Sequence, residues 1–303
     1  MTRKKKPMPD NMRGVMLMCI AMLAFVVNDS FMKAVSQEMP LFQAIFLRGL
    51  GASAALLAIA FYREGHLHLW PKGPDLRVLP LRTGAEILAT VTFLTALVHM
   101  PLATLSAIMQ ALPLAVTLAA ALLYREKISL AVWLAIAFGF AGVLLIIKPG
   151  MAGFDRWSVL GLVSVACVVV RDLSTRHVAR DLPATTVAIW AALAVTGLGA
   201  VGLLFQGAAP VTLTAGLEIA AATAALVVGY ITVVSMMRVG DIAVIAPFRY
   251  TALVWALLFG WLFFDSLPDI AALIGAGMVV VSGIYTLWHS ARGAAVRSSP
   301  NVE

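Results

Sequence analysis

The chain has 303 residues, of which 61% are hydrophobic and 12% are charged, and its mean hydropathy is +0.95. Charged residues make up about a quarter of an ordinary soluble domain. This composition therefore excludes such a domain and indicates a membrane protein. The formal net charge of +7 is explained by basic loops and predicts no nucleic-acid partner. Cys19 and Cys167 both lie in apolar stretches, so we predict no disulfide framework.

Apolar stretches follow one another along the whole chain. Each has about the ~20 residues that a helix needs to cross ~30 Å of hydrocarbon. Their apolar residues run without alternation, which argues against a β-barrel. The sequence therefore predicts an all-α integral membrane protein with ten spans, at 14–33, 41–61, 82–98, 102–124, 129–147, 157–178, 184–205, 213–237, 242–264 and 269–289.

The placement of Lys and Arg predicts how these spans are oriented. With the N-terminus in the cytoplasm, most basic residues fall in cytoplasmic segments, and only Lys33, Lys148 and Arg156 fall outside. This asymmetry follows the positive-inside rule. We therefore predict a multi-pass membrane protein with a basic cytoplasmic tail at 1–13 and a second cytoplasmic tail at 290–303.

A short pattern closes the first apolar span of each half of the chain. It reads NDSFMKAVSQEMP at 28–40 and RDLSTRHVARDLP at 171–183. In both copies an Asp is followed four residues later by a cation, and a Pro opens the next span. An odd number of spans per copy would set the two copies upside down relative to each other, as in many secondary transporters. We predict two inverted five-helix repeats, at 14–149 and 150–289, around a central cavity.

A weaker repeat signal aligns residues 101–129 with residues 240–268. Both stretches contain a Pro inside an apolar helix and end in an acid, and a glycine-bearing span follows each. A Pro inside a helix removes a backbone hydrogen bond, which is tolerated in a membrane where a cavity or a neighbouring helix satisfies the freed carbonyl. Pro113 and Pro247 are therefore predicted to break their helices near the middle of the bilayer.

These features together resemble the drug/metabolite transporter superfamily, specifically its EamA-type members. The resemblance rests on the two five-span halves, on the acid and glycine-bearing helix that end each half, and on the segment APFRYT at 246–251. Asp265 stands where such proteins more often have Glu. The resemblance implies a ten-helix inner-membrane carrier whose central cavity is lined by the first four helices of each half. It also implies transport of small metabolites by alternating access, without ATP hydrolysis.

Two arginines lie deep in predicted spans, Arg48 in the second and Arg249 in the ninth. A charge near the bilayer centre costs at least roughly 2.5–3.5 kcal/mol, so each of these residues needs a reason. One arginine from each half could hold a carboxylate or a phosphate with bidentate geometry. In the alternative interpretation, each arginine neutralises a buried acid such as Glu86 or extends toward the headgroups.

Several polar and aromatic side chains are candidate contacts for a ligand. Gln110 aligns close to Arg249, and Trp190 and Trp255 could stack on a planar ligand, although packing is the alternative for each tryptophan. The complete set of predicted substrate-binding residues is Arg249, Arg48, Gln110, Tyr250, Tyr230, Trp190 and Trp255.

The duplicated Asp and cation pattern predicts two gates. Asp29 and Lys33 lie in the outer third of the first span, where an i,i+4 salt bridge at the helix end is the alternative. Glu86 is either paired with Arg82 or, if desolvated, available for proton coupling. Arg171, Asp172 and Arg176 lie in the inner third of the sixth span and would form the opposite gate.

The charges favour a small anionic or zwitterionic substrate. We predict an exporter of an amino-acid-derived metabolite, such as an amino acid or a metallophore, with uptake of a vitamin such as riboflavin as the alternative. A channel or an intramembrane enzyme is the alternative of another class, but the histidines lack metal-ligand spacing, and no nucleophile elbow or Walker A loop is present. We therefore predict no metal and no cofactor. The expected partners are the substrate, the lipid bilayer and a proton or counter-substrate.

Overall fold

The computed structural model describes residues 10–64, 75–125, 128–149, 155–177, 184–236, 239 and 241–298. Within these ranges the chain is helical and contains no strand. Part of the predicted cytoplasmic tails lies outside the described residues, as do Glu126 and the basic residues Arg3, Lys4, Lys5, Lys6, Lys72, Lys127, Arg180 and Arg238.

Ten helical segments of the described chain are long and apolar enough to cross a membrane, which confirms the predicted all-α membrane fold. Eight spans are single helices, and the fourth and ninth are each divided. The elements are α1 (Asp10–Val35), α2 (Leu41–Glu64), α3 (Asp75–His99), α4 (Leu102–Met109), α5 (Leu112–Leu123), α6 (Leu130–Ile147), α7 (Arg156–Thr175), α8 (Ala184–Gln206), α9 (Leu213–Met236), α10 (Ile242–Ile245), a 3₁₀ turn (Ala246–Tyr250), α11 (Thr251–Phe264) and α12 (Ile270–Ser298).

Local sequence signals explain where several helices begin and end. Ser129 caps the start of α6 by accepting a hydrogen bond from the backbone N–H of Val132. Asp155 caps α7 in the same way, with its Oδ1 3.0 Å from the backbone nitrogen of Trp157. At the other ends, Lys148 closes α6 and Asp265 closes α11 with left-handed φ angles of 53° and 45°. Such caps satisfy the backbone groups that a helix end leaves unpaired.

The fourth and ninth spans are interrupted next to their prolines. Gln110 and Ala111 separate α4 from α5, and Pro113 lies in the first turn of α5. In the ninth span the backbone tightens into the 3₁₀ turn, with Pro247 near its start. Proline cannot donate to the preceding turn, and its ring crowds the carbonyl four residues earlier, so the regular helix is broken there.

The helices pair in a pattern that relates the two halves of the chain. In span numbers, the first packs on the eighth, the third on the sixth, the second on the seventh, the fourth on the ninth and the fifth on the tenth. If each span is replaced by its counterpart in the other half, five spans away, the first of these pairs becomes the second. The other three pairs stay the same. An inverted duplication would leave this pattern, but the inverted relation itself stays a prediction.

The fifth and tenth spans, α6 and α12, pack backbone against backbone. A Cβ atom added to Gly142 would lie 2.6 Å from the carbonyl oxygen of Gly275. Small residues allow this close approach between membrane helices. The pair contributes no side chain to the polar cavity described below.

Candidate functional site

A cavity of about 60 Å³ lies among α2, α3, α8 and α9, and we call it the polar cavity because charged side chains interrupt its otherwise apolar wall. Its volume corresponds to about two water molecules at roughly 30 Å³ each. The charged and polar side chains on its wall are Arg48, Glu86, Thr90 and Tyr230. The remaining lining residues are small or apolar: Gly49, Ala52, Leu56, Ala191, Ala192, Val195 and Leu226.

Arg48 is only 8% exposed and is linked to α1 through Asn28. Its Nη1 donates to Asn28 Oδ1 at 3.2 Å, and Asn28 Nδ2 in turn donates to Asp29 Oδ1 at 2.9 Å. The Nε of Arg48 is buried and has no hydrogen-bond partner among the described residues. One donor of this arginine, beside the cavity, is therefore unsatisfied in this conformation.

Glu86 stands on the cavity wall and is held by two arginines. Its Oε2 is 3.2 Å from Nη2 of Arg82, one turn earlier on α3, and its Oε1 is 3.2 Å from Nη1 of Arg171 on α7. Arg82 also donates from Nε to the Thr175 hydroxyl at 3.2 Å. The expected Arg82–Glu86 pair is present, and the second arginine ties the first half of α3 to the end of α7.

Tyr230 completes the polar side of the cavity from α9. Its ring meets Phe25 of α1 edge to face, with the ring centroids 5.9 Å apart. The phenol lies within electrostatic range of Glu86, Arg171 and Arg48. An aromatic ring fixed in this way presents a rigid surface to the cavity.

Lys33 does not form the i,i+4 salt bridge with Asp29 that was the alternative to a gate. Its Nζ instead donates to the carbonyl oxygens of Leu97 and Met100, at 2.7 Å and 2.9 Å. These carbonyls lie at the end of α3 and just beyond it, where a helix leaves acceptors unpaired and a cation complements the dipole. A salt bridge would satisfy one acid, whereas this arrangement satisfies two carbonyls and fastens α1 to α3.

Two of the three candidate residues of the opposite gate, Arg171 and Asp172, lie beside Glu86. Arg171 contacts Asp172 as well as Glu86, with Nη2 2.9 Å from Asp172 Oδ1. Arg176 is the C-cap of α7 and donates its backbone N–H to Leu173. Arg249 is half-buried and lies within electrostatic range of Asp172 and Arg171. Its guanidinium has no ion pair with the acids that the structure describes.

Four other candidate ligand residues lie away from the wall of this cavity. Tyr250 is buried against α12, since a Cβ on Gly283 would overlap its hydroxyl. Gln110 is buried at the break between α4 and α5, and its Nε2 has no partner among the described residues. Trp255 packs against the main core of the bundle. Trp190 immediately precedes the lining residue Ala191 on α8.

Sequence reasoning missed Thr90, which lies on the cavity wall. A usable signal was present, because Thr90 is four residues after Glu86 and so shares its helix face. Gly49 was also missed. A Cβ at this position would lie 3.1 Å from the Cα of Thr196, so the glycine lets α2 and α8 approach closely beside Arg48. Within the described ranges, no group of three or more His, Cys, Asp and Glu residues could hold a metal ion.

Comparison with known proteins identifies transporters. The model of the EamA-like transporter family matches residues 12–148. The pseudopaline exporter of Pseudomonas aeruginosa is 29% identical over 279 residues, which cover 89% of this chain and 94% of that protein. An uncharacterized transporter of Helicobacter pylori is 25% identical over 286 residues, which cover 89% of this chain and 93% of that protein.

Two further matches are a protein named as a riboflavin transporter and a protein of known structure. A riboflavin transporter of Rhizobium johnstonii is 25% identical over 253 residues, covering 83% of this chain and 78% of that protein. A solved crystal structure superposes with a TM-score of 0.64 and covers 93% of this chain and 98% of that one. At 22% sequence identity this structure shows the fold alone.

Proposed function

We propose that this chain, whose residues 12–148 match the EamA-like transporter family, is an EamA-type drug/metabolite transporter. It would act as a bacterial inner-membrane secondary transporter for a small zwitterionic or anionic metabolite. The names of its relatives indicate a transporter and not an enzyme. The proposed mechanism is alternating access around the cavity between α2, α3, α8 and α9.

The observation that carries the proposal is the presence of Arg48 and Glu86 on the wall of one cavity. A substrate carboxylate would face the free Nε of Arg48, and a substrate ammonium would face Glu86. The hydroxyls of Thr90 and Tyr230 add neutral hydrogen-bonding groups between them. Opposite charges on the wall of one small cavity favour a ligand that carries both charges over a simple ion.

Access to this cavity would be controlled at two contacts of α3, one at its end and one near its middle. Lys33 holds the end of α3 to α1, and the network around Glu86 holds its first half to α7. A cavity of about 60 Å³ is too small for a metabolite, so the helices must separate for a substrate to enter. We propose that release of one contact opens one face of the protein while the other contact stays closed. The placement of basic residues supports an external position for Lys33 and cytoplasmic termini.

Export of an amino-acid-derived metabolite is the proposed direction and substrate class, with an amino acid or a metallophore as the type. The support is the pseudopaline exporter, which this chain covers almost completely. Uptake of riboflavin is the second candidate, and relatives named riboflavin transporters favour it.

Metabolite profiles of cells with and without the protein test this proposal, in both cytoplasm and medium. If the protein is an exporter, cells that lack it should retain one zwitterionic or anionic compound. The medium of those cells should be depleted of the same compound. The purified protein in liposomes should then exchange that compound in counterflow, and Arg48→Gln should abolish the exchange. Ion conductance without counterflow would instead identify a channel and overturn the proposal.

A further inference from the structure

A second cavity, larger and mostly apolar, lies between α1, α9 and α11. Its volume is about 290 Å³. It is separate from the cavity at Arg48, with which it shares no lining residue. Its wall is formed by Val27, Ser30, Phe31, Ala34, Glu218, Phe259, Phe263 and Phe264.

Glu218 is the one acid on this wall. Its Oε2 is buried and has no hydrogen-bond partner among the residues that the structure describes. The charged neighbour that acts on it is Glu38, another acid, whose Oε2 accepts a hydrogen bond from Thr212 at 2.7 Å. Glu218 as a whole is half-buried, but an acceptor oxygen that is buried without a partner costs free energy, and a bound cation would recover it.

Lys33, a basic side chain next to the wall residue Phe264, is already engaged. Lys33 donates to the carbonyls of Leu97 and Met100, and its ammonium lies 5.7 Å from the centre of the Phe264 ring. It makes no salt bridge to Glu218. The charge of the cavity wall is therefore negative, and the charge that would complement it has to come from a ligand.

The three phenylalanines of α11 supply the remaining part of a cation site. Phe259 and Phe263 meet edge to face, with the ring centroids 5.4 Å apart. Phe263 is 63% exposed on the outside of the bundle, so the cavity opens where lipid would surround the protein. Aromatic faces attract cations and also accept apolar groups. A ligand with one positive charge and an apolar body would satisfy both parts of the wall.

We propose that this cavity binds a lipophilic primary ammonium ion, which enters from the membrane. Its ammonium group would pair with Glu218, and its aryl or alkyl body would lie among Phe259, Phe263 and Phe264. The inference does not depend on the transport function proposed above, because none of the residues involved lines the polar cavity.

Binding of radiolabelled 2-phenylethylammonium tests the site, with the full-length protein in phosphatidylcholine nanodiscs. We expect saturable binding to the unmodified protein and at least a tenfold weaker affinity in Glu218→Gln. The neutral analogue 2-phenylethanol should compete at least tenfold more weakly. Asp265→Asn is the matched control, because it removes an exposed acid next to Phe264 while Asn tolerates the same left-handed backbone. It should bind like the unmodified protein.

A second variant separates the site from general partition into lipid. Ala34→Leu adds a side chain to the cavity wall and leaves Glu218 in place, so it should abolish the saturable binding while the protein stays monodisperse. Equal binding to Glu218→Gln and to the unmodified protein would overturn the proposal. Equal competition by 2-phenylethanol would do the same, since the cavity would then be only an apolar groove for lipid.

Discussion

Glu86 accepts hydrogen bonds from two arginines on different helices, and this geometry joins α3 to α7. The three side chains are between 12% and 26% exposed, so solvent screens them only in part. In such surroundings the loss of one charge leaves its partners desolvated and unpaired. The residue is therefore expected to matter for stability as well as for the ligand.

Glu86→Gln should destabilise the protein by roughly 2 kcal/mol, because Arg82 and Arg171 lose their shared anion. The measurement is the midpoint of thermal unfolding in detergent, followed by fluorescence. Asp269→Asn is the control. Lys148 donates to Asp269 and lowers the pKa of this exposed carboxyl, but an exposed pair contributes at most about 1 kcal/mol, and Asn still caps α12. Equal midpoints for the two variants would contradict the prediction.

Helix α3 is the element that both proposed gates hold. Lys33 binds carbonyls at its end, and Glu86 is bound near its middle. The two contacts differ chemically, since the first joins a cation to backbone oxygens and the second is an ion-pair network. Each contact can therefore be removed without changing the other, which makes the two-gate hypothesis testable.

Lys33→Met should release the end of α3 from α1 and so open the polar cavity toward that side. Each hydrogen bond from a charged donor contributes about 1.5–3 kcal/mol, so loss of the contact should raise the open population by roughly tenfold or more. The measurement is the labelling rate of Thr90→Cys by a charged thiol reagent, with Cys19 and Cys167 replaced by Ser. Lys148→Met, which changes a lysine at the end of α6, should leave the rate unchanged. An unchanged rate in Lys33→Met would exclude this contact as a gate.

The pair α6 and α12 permits a test of packing that leaves the polar cavity intact. Gly142→Ala would place a methyl group against the backbone of Gly275 and should cost roughly 1–3 kcal/mol by overpacking. Gly277→Ala is the matched control, since nothing lies within 4 Å of its added Cβ. Thermal unfolding should separate the two variants, while ligand affinity should be equal in both. A similar midpoint for both would show that the close contact is unimportant.

The number and approximate position of the membrane spans could be predicted, because the length of each apolar stretch determines them. The spans were predicted from hydropathy, but α3 begins at Asp75 and not near residue 82, and α12 continues to Ser298. Helices continue past the apolar core because their polar ends remain hydrogen-bonded at the membrane surface. The partners of Lys33 could not be predicted, because carbonyls at the end of another helix leave no pattern in the sequence. The meeting of Glu86 with Arg171 required the packing of α3 on α7.

The proposed inverted relation of the two halves predicts on which side of the membrane the first and sixth spans end. If the first span runs outward and the sixth runs inward, the two copies of the Asp and cation pattern end on opposite sides of the membrane. Alkaline phosphatase needs disulfides and becomes active only outside the cytoplasm. Its fusion after Ser36, beyond α1, should be active, and its fusion after His177, beyond α7, should be inactive. A fluorescent protein that matures in the cytoplasm should give the reverse result. Equal activity at both sites would mean that the halves are parallel, and the proposal of two opposed gates would then fail with the inverted repeat.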